Sequence, residues 1–123
     1  MSNHIIITNN PMCKDFAQAI FYDETLLQIL TRVRDYIHLR HRLVTHPLAG
    51  SIKPNQTPYK SVAITSTPED KLCLMSLQII EHALTLSGKL LQDRAIPLWN
   101  NRTVEDFALI DMELLKSGME SIR

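Results

Sequence analysis

An excess of charge of either sign is missing from this sequence. The 13 lysines and arginines are matched by 13 aspartates and glutamates, so formal net charge is zero and the pI is near 7. A chain without a global field is not drawn to phosphate backbones or anionic lipid, which argues against a nucleic-acid function. Cysteine is scarce: Cys13 and Cys73 stand far apart, with no CxxC spacing and no zinc-ligand pattern. They are expected to be buried or half-buried thiols in a reducing compartment. No apolar run approaches the ~18–20 residues that a membrane span needs. The start Met1-Ser2-Asn3-His4 has no basic region, and Ile5–Ile7 is too short for a signal core. The expectation is a cytoplasmic protein with neither nucleic acid nor membrane as partner.

What is present suits a folded domain. The 123 residues are 45% apolar and 21% charged, an ordinary globular composition. A chain of this length is expected to form a single domain spanning 1–123, burying roughly 65% of its unfolded surface.

His4-Ile5-Ile6-Ile7-Thr8, stopped by Asn9-Asn10-Pro11, predicts a central strand covered on both faces, because its apolar run does not alternate. A short connection leads to a second strand over Ala19–Tyr22. A helix follows from Asp23-Glu24-Thr25, with Asp23 or Thr25 as its N-cap and Thr25 and Gln28 fitting a capping box. Leu26, Leu27, Ile29, Leu30, Val33 and Ile37 form its apolar stripe. Leu43-Val44-Thr45 predicts a third strand and Lys60–Thr65 a fourth. Thr67-Pro68-Glu69-Asp70 reads as the start of a second helix running to about Gln92, with a break near Lys71–Leu74. Thr103 is expected to cap a last helix through Asp106, with Val104, Phe107, Ile110, Leu114 and Leu115 inward and an end near Gly118. The order predicts a small Rossmann-like α/β domain, a partly parallel sheet of about four strands with helices on its faces.

Between the third and fourth strands lies Thr45–Ser61, with three of the six prolines and one of the three glycines. Its varied polar residues mark a shaped loop rather than a linker, and such loops concentrate function. Ligands in α/β sheets bind beyond the carboxyl ends of strands, which points to Thr8, Asn9 and Asn10 at one tip and His46 at the other. These tips would share a crevice if the first and third strands are parallel neighbours.

His46 is the candidate for chemistry, as a base or an orienting group; otherwise its ring ties the loop to the sheet. Gly50, Ser51 and Lys53 can form an anion nest, from a close-approaching backbone, a hydroxyl and a positive charge. No Gly-Lys-Ser/Thr opens a helix, so this is no Walker motif. Asn9 and Asn10 either contact a ligand or shape the turn. Arg34 either reaches the loop or pairs at the surface, and Tyr59 either closes the crevice or packs. His38, His41 and His46 lack a cysteine or carboxylate to complete a metal shell. No metal and no cofactor are expected.

The segments Ile6–Pro11, Val33-Arg34-Asp35, Thr45–Ser51, Lys53-Pro54-Asn55 and Thr57–Ser61 together resemble the GrdX family, over roughly residues 4–86. Its members are small proteins encoded beside glycine, sarcosine and betaine reductase systems. The resemblance implies a cytoplasmic accessory role, with subunits of the reductase complex as partners, but no known reaction. The residues carrying it include Thr8, Asn9, Asn10, Arg34, His46, Gly50, Ser51, Lys53, Tyr59 and Ser61.

Two readings follow. One is a non-catalytic binding module for a small anionic metabolite or a partner protein. The other is a small enzyme with His46 as acid and base and Asn9, Asn10, Ser51 and Lys53 as substrate holders. A chain this short needs a second wall for a water-excluding pocket, which a homodimer formed through the last helix would supply. No nucleophile–base pair is visible, which favours the binding module.

Overall fold

The structure is a computed structural model that describes residues 3–49 and 53–121. Strand β1 (His4–Thr8) is central in a three-stranded sheet, between β2 (Ala19–Phe21) and β3 (Ser61–Thr65). β1 runs parallel to β2 and antiparallel to β3, with Thr8 opposite Ser61 and His4 opposite Thr65. The helices are α1 (Leu26–His38), α2 (Leu74–Asp93) and α3 (Asn101–Glu120), and a single 3-10 turn covers Pro11–Cys13.

Side chains alternate across a strand, and the two faces of this sheet meet different partners. Ile7, Val62 and Ile64 join α1 and α2 in one core, through Leu26, Ile29, Leu30, Val33, Ile37, Ile80 and Ala83. Ile6 and Ala63 face the other way and pack with Cys13 and Leu115 of α3. The non-alternating apolar run of β1 thus has its physical reason: both faces are covered.

Helix α1 starts as its sequence dictates. Thr25 Oγ1 accepts from the Gln28 amide, and Gln28 Oε1 accepts from the Thr25 amide. Past its end, Arg40 takes a φ of 77°, the left-handed position where a helix reverses out of its axis.

Three expectations need correction. The sheet has three strands rather than four, and its mixed pairing is not a doubly wound parallel arrangement. Leu43-Val44-Thr45 makes only an isolated bridge, Leu43 to Ile64. The amides of Val44 and Thr45 converge on one carbonyl, that of Ala63, and Thr45 Oγ1 takes the Ala63 amide. A side chain thereby occupies the donor that a regular fourth strand would engage. The segment lies beyond β3, so it is not a neighbour of β1.

The second helix begins at Leu74 with Cys73 as its cap, not at Thr67. The preceding backbone is engaged elsewhere: the Ser66 amide donates to Asn3 and the Glu69 amide to Arg40. The third correction is the rotation of α3. Ala108, Asp111 and Leu115 point inward, while Ile110 is 39% exposed. Asn100, rather than Thr103, caps this helix, and it continues through Gly118. A Cβ at Gly118 would lie 3.1 Å from Thr45 Cγ2, so the glycine permits close approach rather than ending the helix.

The 53–60 segment is tied down at several points. Asn55 Nδ2 donates to the Leu90 carbonyl of α2, and Trp99 Nε1 donates to the Gln56 carbonyl at 2.7 Å. Among the described residues, no helix is long and apolar enough to cross a membrane.

Candidate functional site

Strand alternation places Thr8 and Ser61 on the α3 side, next in line after Ile6 and Ala63. There the apolar face gives way to a buried polar network. The Asn10 amide donates to Thr8 Oγ1 at 2.9 Å, and the Thr8 and Ser61 hydroxyls are 2.6 Å apart. Ser61 Oγ donates to Asp111 Oδ2 at 2.7 Å, and Asn10 Nδ2 donates to the same oxygen at 2.9 Å. Asn10 Nδ2 also donates to the Ala108 carbonyl, and its Oδ1 accepts from the Met12 amide. The Thr8–Ser61, Ser61–Asp111, Asn10–Asp111 and Asn10–Ala108 bonds link segments far apart in sequence, and the last three dock α3 on the sheet and on the end of β1.

Asn9 plays the same part for the loop. Its Nδ2 donates to the carbonyls of Glu24 and Pro58, and its Oδ1 accepts from the Lys60 amide. The side-chain amides of both asparagines are engaged by protein partners, which accounts for two polar residues ending a buried strand.

The charged members are Asp111 and Lys60, with 8% and 9% of their surfaces exposed. Burial raises the Asp111 carboxyl above its ordinary range, against the pull of Ser61, Asn10 and the Lys60 charge. Burial likewise lowers the Lys60 ammonium, against the attraction of Asp111. No ion pair within 4.0 Å joins the two. Cys13 lies behind them, wholly buried, with Sγ 3.7 Å from Ser61 Oγ. Burial pushes its thiol up; the Asp111 charge adds to that and the Ser61 contact opposes it.

Two small clefts open between the loop and α3, both walled by Ala49, Lys60, Asp111 and Leu114. One adds Thr57, Tyr59, Phe107 and Ile110; the other adds Thr45, His46, Ser61 and Leu115. They admit the centre of a water-sized sphere over only about 10 and 20 Å³, space on the scale of single waters. His46 is exposed at the rim, and its Nδ1 accepts from the Leu48 amide at 3.0 Å. That bond leaves the neutral ring's proton on Nε2.

The sequence-derived candidates therefore separate. Thr8, Asn9 and Asn10 form the polar wall behind the clefts, while His46 and Tyr59 line them. Lys53 is exposed, its amide held by Gln56 Oε1. Arg34 sits on α1, 3.7 Å from Glu81 of α2, on the opposite side of the sheet. Gly50 and Ser51 lie outside the described residues. The tips of β1 and of the Leu43–Thr45 segment flank the Ser61 end of β3 rather than each other.

Sequence reasoning missed Asp111, Lys60 and Cys13 as site residues and treated Ser61 only as part of a motif. One signal was available: Asp111 interrupts an apolar helical face three residues after Ala108 and four before Leu115.

With that geometry in place, comparison with known proteins decides the family. The family model described as GrdX-like protein matches residues 5–120. The chain belongs to the GrdX-like protein family. No curated protein and no solved structure matches it. The GrdX-like match runs well past residue 86, where the resemblance read from the sequence stopped, and takes in α3 with Asp111. Both sides of the clefts thus lie within the family's matched span.

Proposed function

We propose that this GrdX-like protein is a non-catalytic accessory protein of glycine, sarcosine and betaine reductase metabolism in the cytoplasm. It binds a small anionic metabolite in the clefts between the 46–60 loop and α3. The observation supporting this reading is Lys60, almost fully buried on the wall of both clefts and in no ion pair within 4.0 Å among the described residues, with Asp111 as its counter-charge at longer range. A desolvated cation facing a cleft favours an anion there. His46 stands at the rim and Thr8, Asn9 and Asn10 hold the rear wall; Tyr59 lines the other cleft and Lys53 is exposed on the same loop, and Gly50 and Ser51, outside the described residues, remain proposed ligand contacts. Arg34, paired with Glu81, lies outside this set.

A second reading has His46 as the acid and base of a small enzyme. Its support is that His46 lines one cleft together with Ser61 and Asp111. The two are separated by a thermal-shift screen with phosphate, acetyl phosphate and acetate, followed by turnover assays on any hit. A ligand at a hundred times its Kd stabilises by about 2.7 kcal/mol, a shift of roughly ten degrees. The binding reading expects that shift in the wild type and its loss in Lys60→Met, with no product formed. Product that disappears in His46→Ala favours the enzyme. If no anion shifts the wild type, the clefts are not an anion site, and a reductase-complex subunit becomes the expected partner.

A further inference from the structure

The two edges of the sheet are finished differently. Beyond β3, Leu43 bridges to Ile64 and the amides of Val44 and Thr45 reach the Ala63 carbonyl, so the chain covers that edge itself. Beyond β2 no strand follows among the described residues. The Ile6 amide donates to the Gln18 carbonyl and the Tyr22 amide to the Thr8 carbonyl. Even-numbered residues of this strand therefore bond to β1, and the two-residue period turns the backbone groups of Ala19 and Phe21 outward. The Ala19 amide is taken by Phe16, which leaves the Ala19 carbonyl and both groups of Phe21 on an open edge. Such an edge is a template for another strand. Its flanks are half-buried: Ala19 and Phe21 on the α3 side, Ile20 and Tyr22 on the α1 side. Helix α1 packs mainly over β1 and β3, and beside Tyr22 a cleft of about 240 Å³ is walled by Arg32, Asp35, Tyr36 and Leu39. Arg32 is fixed there by two bonds to Glu24, with its guanidinium 3.7 Å above the Tyr22 ring. Asp35 is exposed and forms no ion pair within 4.0 Å among the described residues.

We propose that a second copy of this chain covers the edge, β2 against β2 and antiparallel, to make one continuous sheet with three strands from each copy. The two-fold axis passes through Phe21. Phe21 then opposes itself and exchanges two hydrogen bonds across the axis, and each Ala19 carbonyl comes opposite the other copy's Asp23 amide. An axis through Ile20 would aim each Phe21 carbonyl at an Ala19 amide that Phe16 already holds. On the α1 side, Ile20 of each copy meets Tyr22 of the other, an aliphatic–aromatic cross-strand pair. The charges are self-complementary as well. Because the copies run in opposite directions, the Asp35 end of one α1 lies beside the Arg32 end of the other, and the guanidinium has donors beyond the two spent on Glu24. Three-residue strands pair weakly alone, so the side chains on both faces carry much of the contact. This edge lies across the sheet from the loop–α3 clefts, and the dimer does not depend on what they bind.

Sedimentation equilibrium of the wild type, from micromolar to millimolar, should show the 14.1 kDa monomer giving way to a dimer. Asp35→Arg, a change at an exposed position, should raise the dimer's Kd about tenfold or more while the circular dichroism spectrum stays the same. The axis itself is tested with a thiol. In a Cys73→Ser background, Phe21→Cys should form an intermolecular disulfide under mild oxidation, since a residue on the axis faces its own copy with Cα atoms about 5.5 Å apart. Ala17→Cys, exposed but far from its copy, should cross-link about tenfold more slowly or not at all. A wild type that stays monomeric throughout the series overturns the proposal. So does a dimer in which Phe21→Cys cross-links no faster than Ala17→Cys, because the contact then lies elsewhere, as on α3. If Phe21→Cys does not fold, a dimer whose Kd is unchanged by Asp35→Arg overturns it instead.

Discussion

Ser61 Oγ on β3 donates a 2.7 Å hydrogen bond to Asp111 Oδ2 on α3, and with it a helix is docked to the sheet by a carboxylate. Buried apolar contact on that side is modest: Ala108 and Leu115 are the fully buried apolar residues of α3. The polar network therefore carries much of the specificity of where α3 sits.

Replacing that carboxylate separates its hydrogen bonds from its charge. Asp111→Ala leaves the Ser61 hydroxyl and one Asn10 amide proton without an acceptor, and should cost about 2–3 kcal/mol. Asp111→Asn retains an acceptor and removes a desolvated charge, so its stability should stay within about 1 kcal/mol of wild type. Urea denaturation at pH 7 measures both. A loss as large in Asn as in Ala would mean that the charge itself holds α3 in place.

Stability should depend on pH through Asp111 and Lys60 with predictable signs. The folded carboxyl of Asp111 titrates above its ordinary value, so the folded state holds the proton more tightly. Its contribution is present in acid and is lost as pH rises through the raised value. Lys60 titrates below its ordinary value, so stability is regained as pH rises from the lowered value towards that of a free lysine. Glu24, held low by its hydrogen bonds from Arg32, has the opposite acid-side effect. Subtracting the Asp111→Asn profile from that of the wild type isolates the aspartate. The difference should favour the wild type more in acid than at neutral pH.

Helix α2 carries two correctable faults. Ser87 Oγ is buried with no partner among the described residues, and a Cβ at Gly88 would meet nothing within 4 Å. Gly88→Ala should stabilise by about 0.5–1 kcal/mol through backbone entropy. Ser87→Ala should be neutral or stabilising by up to about 1 kcal/mol, since it removes an unsatisfied hydroxyl. Thermal denaturation of the single variants checks each, and a fall in Tm for Ser87→Ala would reveal a partner for that hydroxyl.

The two thiols should react very differently. The Cys73 thiol is lowered by hydrogen bonding with Ser76 at the start of α2, and it is part-exposed. Cys13 is wholly buried and its thiol is raised. Iodoacetamide on the native protein should alkylate Cys73 and leave Cys13 intact until urea unfolds the chain, as peptide mass spectrometry would read. Equal labelling of both under native conditions would mean that the α3 face opens readily.

Much of the candidate site was only half legible in the sequence. The polar ending of β1 stood out because Thr8, Asn9 and Asn10 follow an apolar run. Nothing local indicated that their groups would be taken up by Asp111 and Lys60, 101 residues away in the case of the Asn10–Asp111 bond. The same held for α3: Ile110 and Asp111 are adjacent, and a rotation of one position exchanges which of them enters the core.

By itself the sequence determined β1, α1 with its capping box, β3 and the irregular 53–60 segment before it, because period, caps and turn residues act within a few positions. The tertiary structure decided what those signals cannot reach. Leu43–Thr45 has strand composition, yet it fails as a strand because the Thr45 hydroxyl takes the Ala63 amide. Asp111 has the character of a surface residue, yet it is buried because Ser61 and Asn10 supply the donors that water would otherwise provide. Local propensity fixes the elements; where polar groups find partners across the fold fixes the site.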